Sequence, residues 1–310
     1  MGVMVVLGDS HSRYFRHAGA KGLLLPFDVK ICEVSGATAA GLANPSSTTA
    51  AAKKYRQLLG EAPKDAFVVM HLGEVDCGIL IWLRSQRNRS PLLEEMQRSV
   101  EAYFAFVDQV VAEGFNNVVI TGATVPTIND TDHVGSIVTE RRAKVEASHL
   151  QRTELTRRFN DALRIQADRR SLIYVDIWGE VIDPLTQVAD LKFRNKNIKD
   201  HHMDLSAASM AWALALRQAL SAKVDMAARH IFMIAKDATF IRALDQHPST
   251  LADDMKISIE KGQKLAGRLV ARTDKSMVLN DVTLDGKHIN ERFRYIFGPR
   301  WKNATINRTF

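Results

Sequence analysis

The chain is poor in cysteine: among its 310 residues only Cys32 and Cys77 occur. Two thiols cannot build a disulfide framework, and nothing near either has the paired spacing of a zinc site, so both are expected as reduced thiols. Long apolar runs are also missing. No segment reaches the roughly 18 uninterrupted apolar residues that span a bilayer, and the apolar stretch at residues 3–7 is too short for the hydrophobic region of a secretory signal. No membrane partner is expected, and the cytoplasm is the default compartment. Internal repeats and low-complexity tracts are absent. So are basic runs interleaved with aromatics, so no nucleic-acid partner is expected despite a net charge of +7. That charge is unevenly placed. Residues 221–310 hold 16 Lys and Arg against 10 Asp and Glu, which leaves residues 1–220 at only +1.

What is present is enough apolar residue, 46% of the chain with 25% charged, to bury a full core in one large domain or one domain with an addition. Short apolar or β-branched runs at 3–7, 27–34, 66–72, 117–122 and 171–177 each close on turn or polar residues and read as strands. Between them lie helical patterns. Residues 46–59 are Ala-rich and end at Gly60; residues 92–113 are amphipathic, with Pro91 to start them and Gly114 to stop them; residues 141–167 are helical by propensity; residues 206–222 follow a cap expected at Ser206. Strand alternating with helix predicts a doubly wound α/β fold, a five-stranded parallel sheet with helices on both faces, over residues 1–222. Residues 223–310 read as a basic appendage: largely helical over 223–262, then short strands at 268–271, 276–279 and 282–284, with a turn at Asp285–Gly286.

Ligands of such sheets bind outside the carboxyl ends of the strands. Four segments fall there or close by. "GDSHS", residues 8–12, follows the first strand and offers Asp9, Ser10 and His11. A serine is a poor nucleophile without an adjacent base and an oxyanion site, and position 12 is not the second glycine of a G-x-S-x-G elbow, so an ordinary α/β-hydrolase elbow is not supported. By itself the segment reads first as a strand-to-helix turn capped by Asp9 or Ser10. "VSGATAAGLANPSS", residues 34–47, places Gly36 and Gly41 where backbone can approach a ligand. "HLGEVDCG", residues 71–78, delivers Glu74 and Asp76 from the third strand, with His71 readable as a satisfied buried residue. "NIKDHHMDLSAASM", residues 197–210, sets His201 and His202 beside Asp200 and Asp204, an imidazole base with carboxylates to hold its tautomer.

Together these four segments resemble the SGNH, or GDSL, family of serine hydrolases over residues 1–220. The resemblance implies that Ser10 is the nucleophile and that the Ser10 and Gly36 amides hold the oxyanion. It further implies a late acid–base pair in Asp200 and His202, and no cofactor or metal. Glu74, Asp76, Asp9, His11 and His201 then line the same site. Two departures stand out. The family's third block, Gly-x-Asn-Asp, here reads Gly73-Glu74-Val75-Asp76, so the asparagine donor is replaced by valine, and His11 is one candidate substitute. The last block, normally Asp-x-x-His, has Met203 three residues beyond Asp200, so the spacing is shortened; the apolar Met203 and the helix start behind it favour His202 over His201. The implied activity is cleavage or transfer of an O-acyl ester, an acetylated carbohydrate among the candidates. Two other readings stay open. One is a metal-dependent phosphoesterase using Asp9, His11, Glu74, Asp76, His201 and His202 as donors; the other is a binding or assembly module without catalysis, with a homo-oligomer formed through the basic appendage.

Overall fold

The computed structural model describes residues 2–24, 27–130, 144–197 and 200–220, and beyond them the backbone of seven strands between 231 and 309. The chain divides into two compact units, one of residues 1–22 and 26–215, the other of residues 23–25 and 216–310.

The first unit is built on five parallel strands, β1 (Val3–Gly8), β2 (Asp28–Glu33), β3 (Phe67–His71), β4 (Asn117–Thr121) and β5 (Ile173–Val175), in the order β2-β1-β3-β4-β5. All five expected strands form: the central β1, β3 and β4 bury side chains on both faces of the parallel sheet, and β2 and β5 pair along its edges half-buried. Alternation divides those side chains. Val5, Leu7, Val68, Met70, Val118 and Ile120 enter one core with Tyr55, Phe104 and Phe159. Met4, Val6, Val69 and His71 turn to the other face, where the Trp212 ring meets Phe15 and His71.

The helices are α1 (Arg13–Ala20), α2 (Ala51–Gly60), α3 (Ile81–Asn88), α4 (Leu92–Ala112), α5 (His149–Arg169), the single turn α6 (Trp178–Val181) and α7 (Leu205–Leu220). Three starts differ from the sequence reading. The second helix begins at Ala51 rather than 46, after Ala50 in the left-handed region at φ 49°. The fifth begins at His149 rather than 141, because Ser148 and Gln151 form a reciprocal capping box; residues 141–143 lie outside the described residues. Helix α7 is capped by Asp204, whose Oδ1 accepts from Ser206 N at 3.1 Å and Ala207 N at 2.9 Å, so Ser206 is not the cap.

The second unit corrects a larger expectation. Residues 231–234, 239–242 and 253–258 are strands, not helix, and they join Lys264–Arg272, Ser276–Leu284, Lys287–Ile296 and Ile306–Thr309 in a seven-stranded sheet. Four-residue apolar runs such as Ile231–Ile234 carry no period of their own, and here pairing decides them: Ile231–Ile234 runs parallel to Phe293–Ile296, some sixty residues away. The expected turn at 285–286 lies outside the described residues.

Register is what positions the candidate site. Gly8 pairs with Glu33 of β2 and with His71 of β3, so the carboxyl ends of three adjacent strands finish level. The segments that leave them, at Asp9, Val34 and Leu72, therefore start from one edge of the sheet.

Candidate active site

The turn carrying Ser10 is set by Gly8. A Cβ at position 8 would stand 2.5 Å from the His71 carbonyl oxygen, so only glycine lets β1 and β3 close this tightly, and the Asp9 amide then donates to that same carbonyl at 3.3 Å. Asp9 turns the chain inward. Its Oδ1 accepts from the His11 amide at 2.8 Å and lies 3.0 Å from His11 Nδ1, while its carbonyl accepts from Ser12 N at 3.1 Å and Ser12 Oγ at 2.7 Å. Capping thus falls to Asp9, and Ser10, half-buried, is left to face the other side of the site.

That other side is the segment 200–204, held from several directions. Asp200 N donates to Asn197 O at 2.9 Å, Thr127 Oγ1 donates to His201 O at 2.8 Å, and Asp204 N donates to Phe193 O at 2.8 Å. Met203 pairs with Arg194 in an antiparallel bridge, and its amide donates to the Tyr14 hydroxyl of α1 at 2.8 Å. Since α1 begins three residues after Ser10, Tyr14 ties the late segment to the element that carries the serine.

Across this frame His202 Nε2 lies 2.9 Å from Ser10 Oγ, 192 positions apart in the sequence. On the far side of the ring, Nδ1 is 2.5 Å from Asp200 Oδ1, and the same oxygen accepts from the His202 amide at 3.0 Å. An ionised carboxylate can only accept, so Nδ1 carries the ring proton and Nε2 presents its lone pair to the serine hydroxyl. Burial, and next the His11 imidazole, pull His202 below its usual value, with Asp200 opposing. The ring is therefore neutral near pH 7 and able to accept a proton. Burial would raise Asp200, but the His202 amide and ring, with Arg13 behind them, outweigh it and hold the carboxyl below its ordinary range.

The remaining expected residues fall in three places. Gly36 sits at φ +73° on the exposed loop after β2, with nothing within 4 Å of where a Cβ would be. Asp76 is fully buried beneath that loop: Oδ2 accepts from Ala39 N at 2.7 Å and Oδ1 from Ala40 N at 3.3 Å, so the carboxylate anchors residues 39–40. Burial pushes it up to about 6 against these amides. Glu74 is buried at the start of the segment that leads through a π-helical turn, Asp76–Leu80, into α3. The third group is a cluster of tilted imidazoles. His201 and His202 have ring centroids 4.0 Å apart, His11 and His202 4.6 Å, and His11 and His201 5.5 Å. His71 belongs to the far face of the sheet instead, bonded to Thr121 Oγ1 at 2.8 Å and Thr124 Oγ1 at 3.2 Å, and burial takes it down to about 4.

Two residues at the site escaped the sequence reading. Arg13 Nη1 lies 3.2 Å from His202 Nδ1 and 3.6 Å from Asp200 Oδ2. Tyr14 is fully buried and its phenol is held well above the usual range, by burial first. The available signal was helical spacing: a helix opening right after Ser10 must set its first turn, Arg13 and Tyr14, beside whatever faces the serine.

No family model matches the sequence, and no curated protein matches it. Solved structures are similar at low identity. A GDSL-like lipase from Bacteroides thetaiotaomicron superposes with a TM-score of 0.48 at 11% identity, covering 72% of this chain and 89% of its own. An acetyl xylan esterase superposes at 0.41 and 10%, covering 72% of this chain and 99% of its own. Among the described residues no helix is long and apolar enough to cross a membrane, and both cysteines are free thiols.

Proposed function

We propose that the chain is a divergent SGNH-type serine hydrolase that cleaves, or transfers, an O-acyl ester through an acyl-enzyme. One observation carries this reading: a serine on the first strand's turn and an imidazole nearly two hundred residues later meet at 2.9 Å, with a carboxylate on the imidazole's opposite nitrogen. Ser10 Oγ attacks the ester carbonyl as His202 Nε2 takes its proton. The imidazolium, steadied by Asp200, then gives that proton to the departing alcohol oxygen. Water, or a second alcohol in transfer, repeats the sequence on the acylated serine. The Ser10 and Gly36 amides would hold the oxyanion.

Val75 stands where the family places an asparagine and has no side-chain donor. Removal of one such donor costs on the order of a hundredfold or more in rate, so turnover is expected to be slower than in a site that keeps the asparagine. The substrate class is an O-acyl ester, with an acetylated carbohydrate as the first candidate. Release of acetate from acetylated sugars and aryl acetates, compared between the wild type and Ser10→Ala, tests the reading. Turnover that disappears with the serine supports it, and equal turnover in both proteins overturns it.

A further inference from the structure

The triad uses one histidine, yet three are gathered. We propose that His11, His201 and His202 form a binding site for a divalent zinc-like cation, and that the bound ion switches the serine off by taking the His202 nitrogen that Ser10 needs.

Each of the three can offer one ring nitrogen, and these nitrogens all lie within 4.8 Å of one another. Two nitrogens on one tetrahedral zinc, each bonded at about 2.0–2.1 Å, stand roughly 3.4 Å apart. The nitrogens therefore need to close by at most about 1.4 Å; rotation of the partly exposed His201 side chain moves its nitrogen toward the other two, and small rotations of the buried His11 and His202 rings complete the site. The outer contacts already have the arrangement that metal-binding histidines use. Asp9 Oδ1 holds His11 Nδ1 at 3.0 Å, and Asp200 Oδ1 holds His202 Nδ1 at 2.5 Å. A carboxylate on the far nitrogen fixes the tautomer, so the lone pair resides on Nε2, and it raises the basicity of the ligand. The two carboxylates also offset the charge of the ion, with the Arg13 guanidinium facing Asp200 on the opposing side. Three neutral imidazoles with an open fourth position suit zinc better than magnesium or calcium, which prefer oxygen.

His202 cannot serve both masters. Its Nε2 lone pair accepts from Ser10 Oγ in the metal-free site; an ion coordinated there removes the general base, and Ser10 falls back to the reactivity of an ordinary hydroxyl. The consequence for activity rests on the proposed hydrolase reading, whereas ion binding does not, and the two are measured separately.

The test uses the full chain, freed of metal by a chelator and then dialysed. Zinc binding is followed by calorimetry, and cobalt, as a visible stand-in, by its absorption. Acylation is followed as labelling of Ser10 by a fluorophosphonate. We expect one zinc per chain at micromolar concentration, the intense visible bands of low-symmetry cobalt, and labelling that stops with zinc and returns with chelator. His201→Ala is expected to weaken zinc binding by more than about tenfold and to release labelling, relative to its own zinc-free rate, from zinc control. Zinc binding that is absent, or unchanged in His201→Ala, overturns the site. Zinc that binds through His201 yet leaves Ser10 labelling untouched overturns the switch. Refusal of the probe by metal-free protein would instead strike the hydrolase reading and leave the ion site standing.

Discussion

Asp200→Asn isolates the part of the site that differs most from an ordinary serine. In the native arrangement one carboxylate oxygen accepts from the His202 amide at 3.0 Å and the His202 ring at 2.5 Å, while the other faces the Arg13 guanidinium at 3.6 Å. Asparagine is the same size but carries donors on one side. With its NH2 toward Arg13, donor meets donor; with its NH2 toward the ring, Nδ1 must accept, and the ring proton moves to Nε2, where it blocks transfer from Ser10. The corresponding change in a Ser-His-Asp protease drops kcat by about ten-thousandfold, or about 5 kcal/mol of transition-state stabilisation at 1.36 kcal/mol per factor of ten. Folding is little affected, because the Arg13–Asp200 pair is 40% and 28% exposed and such pairs contribute at most about 1 kcal/mol. The assay is the second-order rate of Ser10 acylation by a fluorophosphonate, with thermal melting as the control. The expected result is a loss of about a thousandfold or more with a melting temperature close to wild type. A loss below about tenfold in a folded protein would refute the idea that Asp200 sets the tautomer of the base.

Other consequences follow from the supporting residues. Gly8→Ala drives a Cβ against the His71 carbonyl, so it is expected to cost about 1–3 kcal/mol by overpacking and to displace Ser10, read as a lower melting temperature together with slower acylation. Tyr14→Phe leaves the buried Met203 amide without its acceptor, a cost of about 1–3 kcal/mol, and acylation should slow because the segment carrying His202 loses its tie to α1. Asp76 gives a pH signature. Its folded value of about 6 lies above the ordinary 3.8, so between these values the folded state holds more protons than the unfolded one, and stability falls as pH rises through that window. Two units correspond to about 3 kcal/mol as an upper estimate, and Asp76→Asn should flatten this part of the melting profile between about pH 4 and 6.

The layer carrying the site was legible because its physics is local and repetitive. Runs such as Val3–Gly8 and Phe67–His71 are apolar at nearly every position, which only a sheet covered on both faces accommodates. Helix starts were harder. The Ser148–Gln151 capping box fixes a start that helical propensity, continuous from residue 141, does not mark, and Asp204 and Ser206 are both good caps between which only the folded backbone decides. The second sheet failed for a different reason: Ile231–Ile234 and Thr239–Arg242 are too short to show a period, and their strand character comes from partners distant in sequence. At the site, strand ends predicted that Asp9, Ser10, Gly36 and Glu74 would start from one edge. What no spacing could reveal was the inward commitment of Asp76 to the amides of residues 39–40, or the approach of the His11 ring to His202, since both depend on how loops pack rather than on where they begin.

The central claim is that His202 makes Ser10 a nucleophile, and intact mass after exposure to a fluorophosphonate measures it most directly. The account predicts one adduct per chain, mapped to Ser10, that fails to form in His202→Ala protein with native melting behaviour. An adduct elsewhere, or one on Ser10 that forms equally fast without the imidazole, would contradict it.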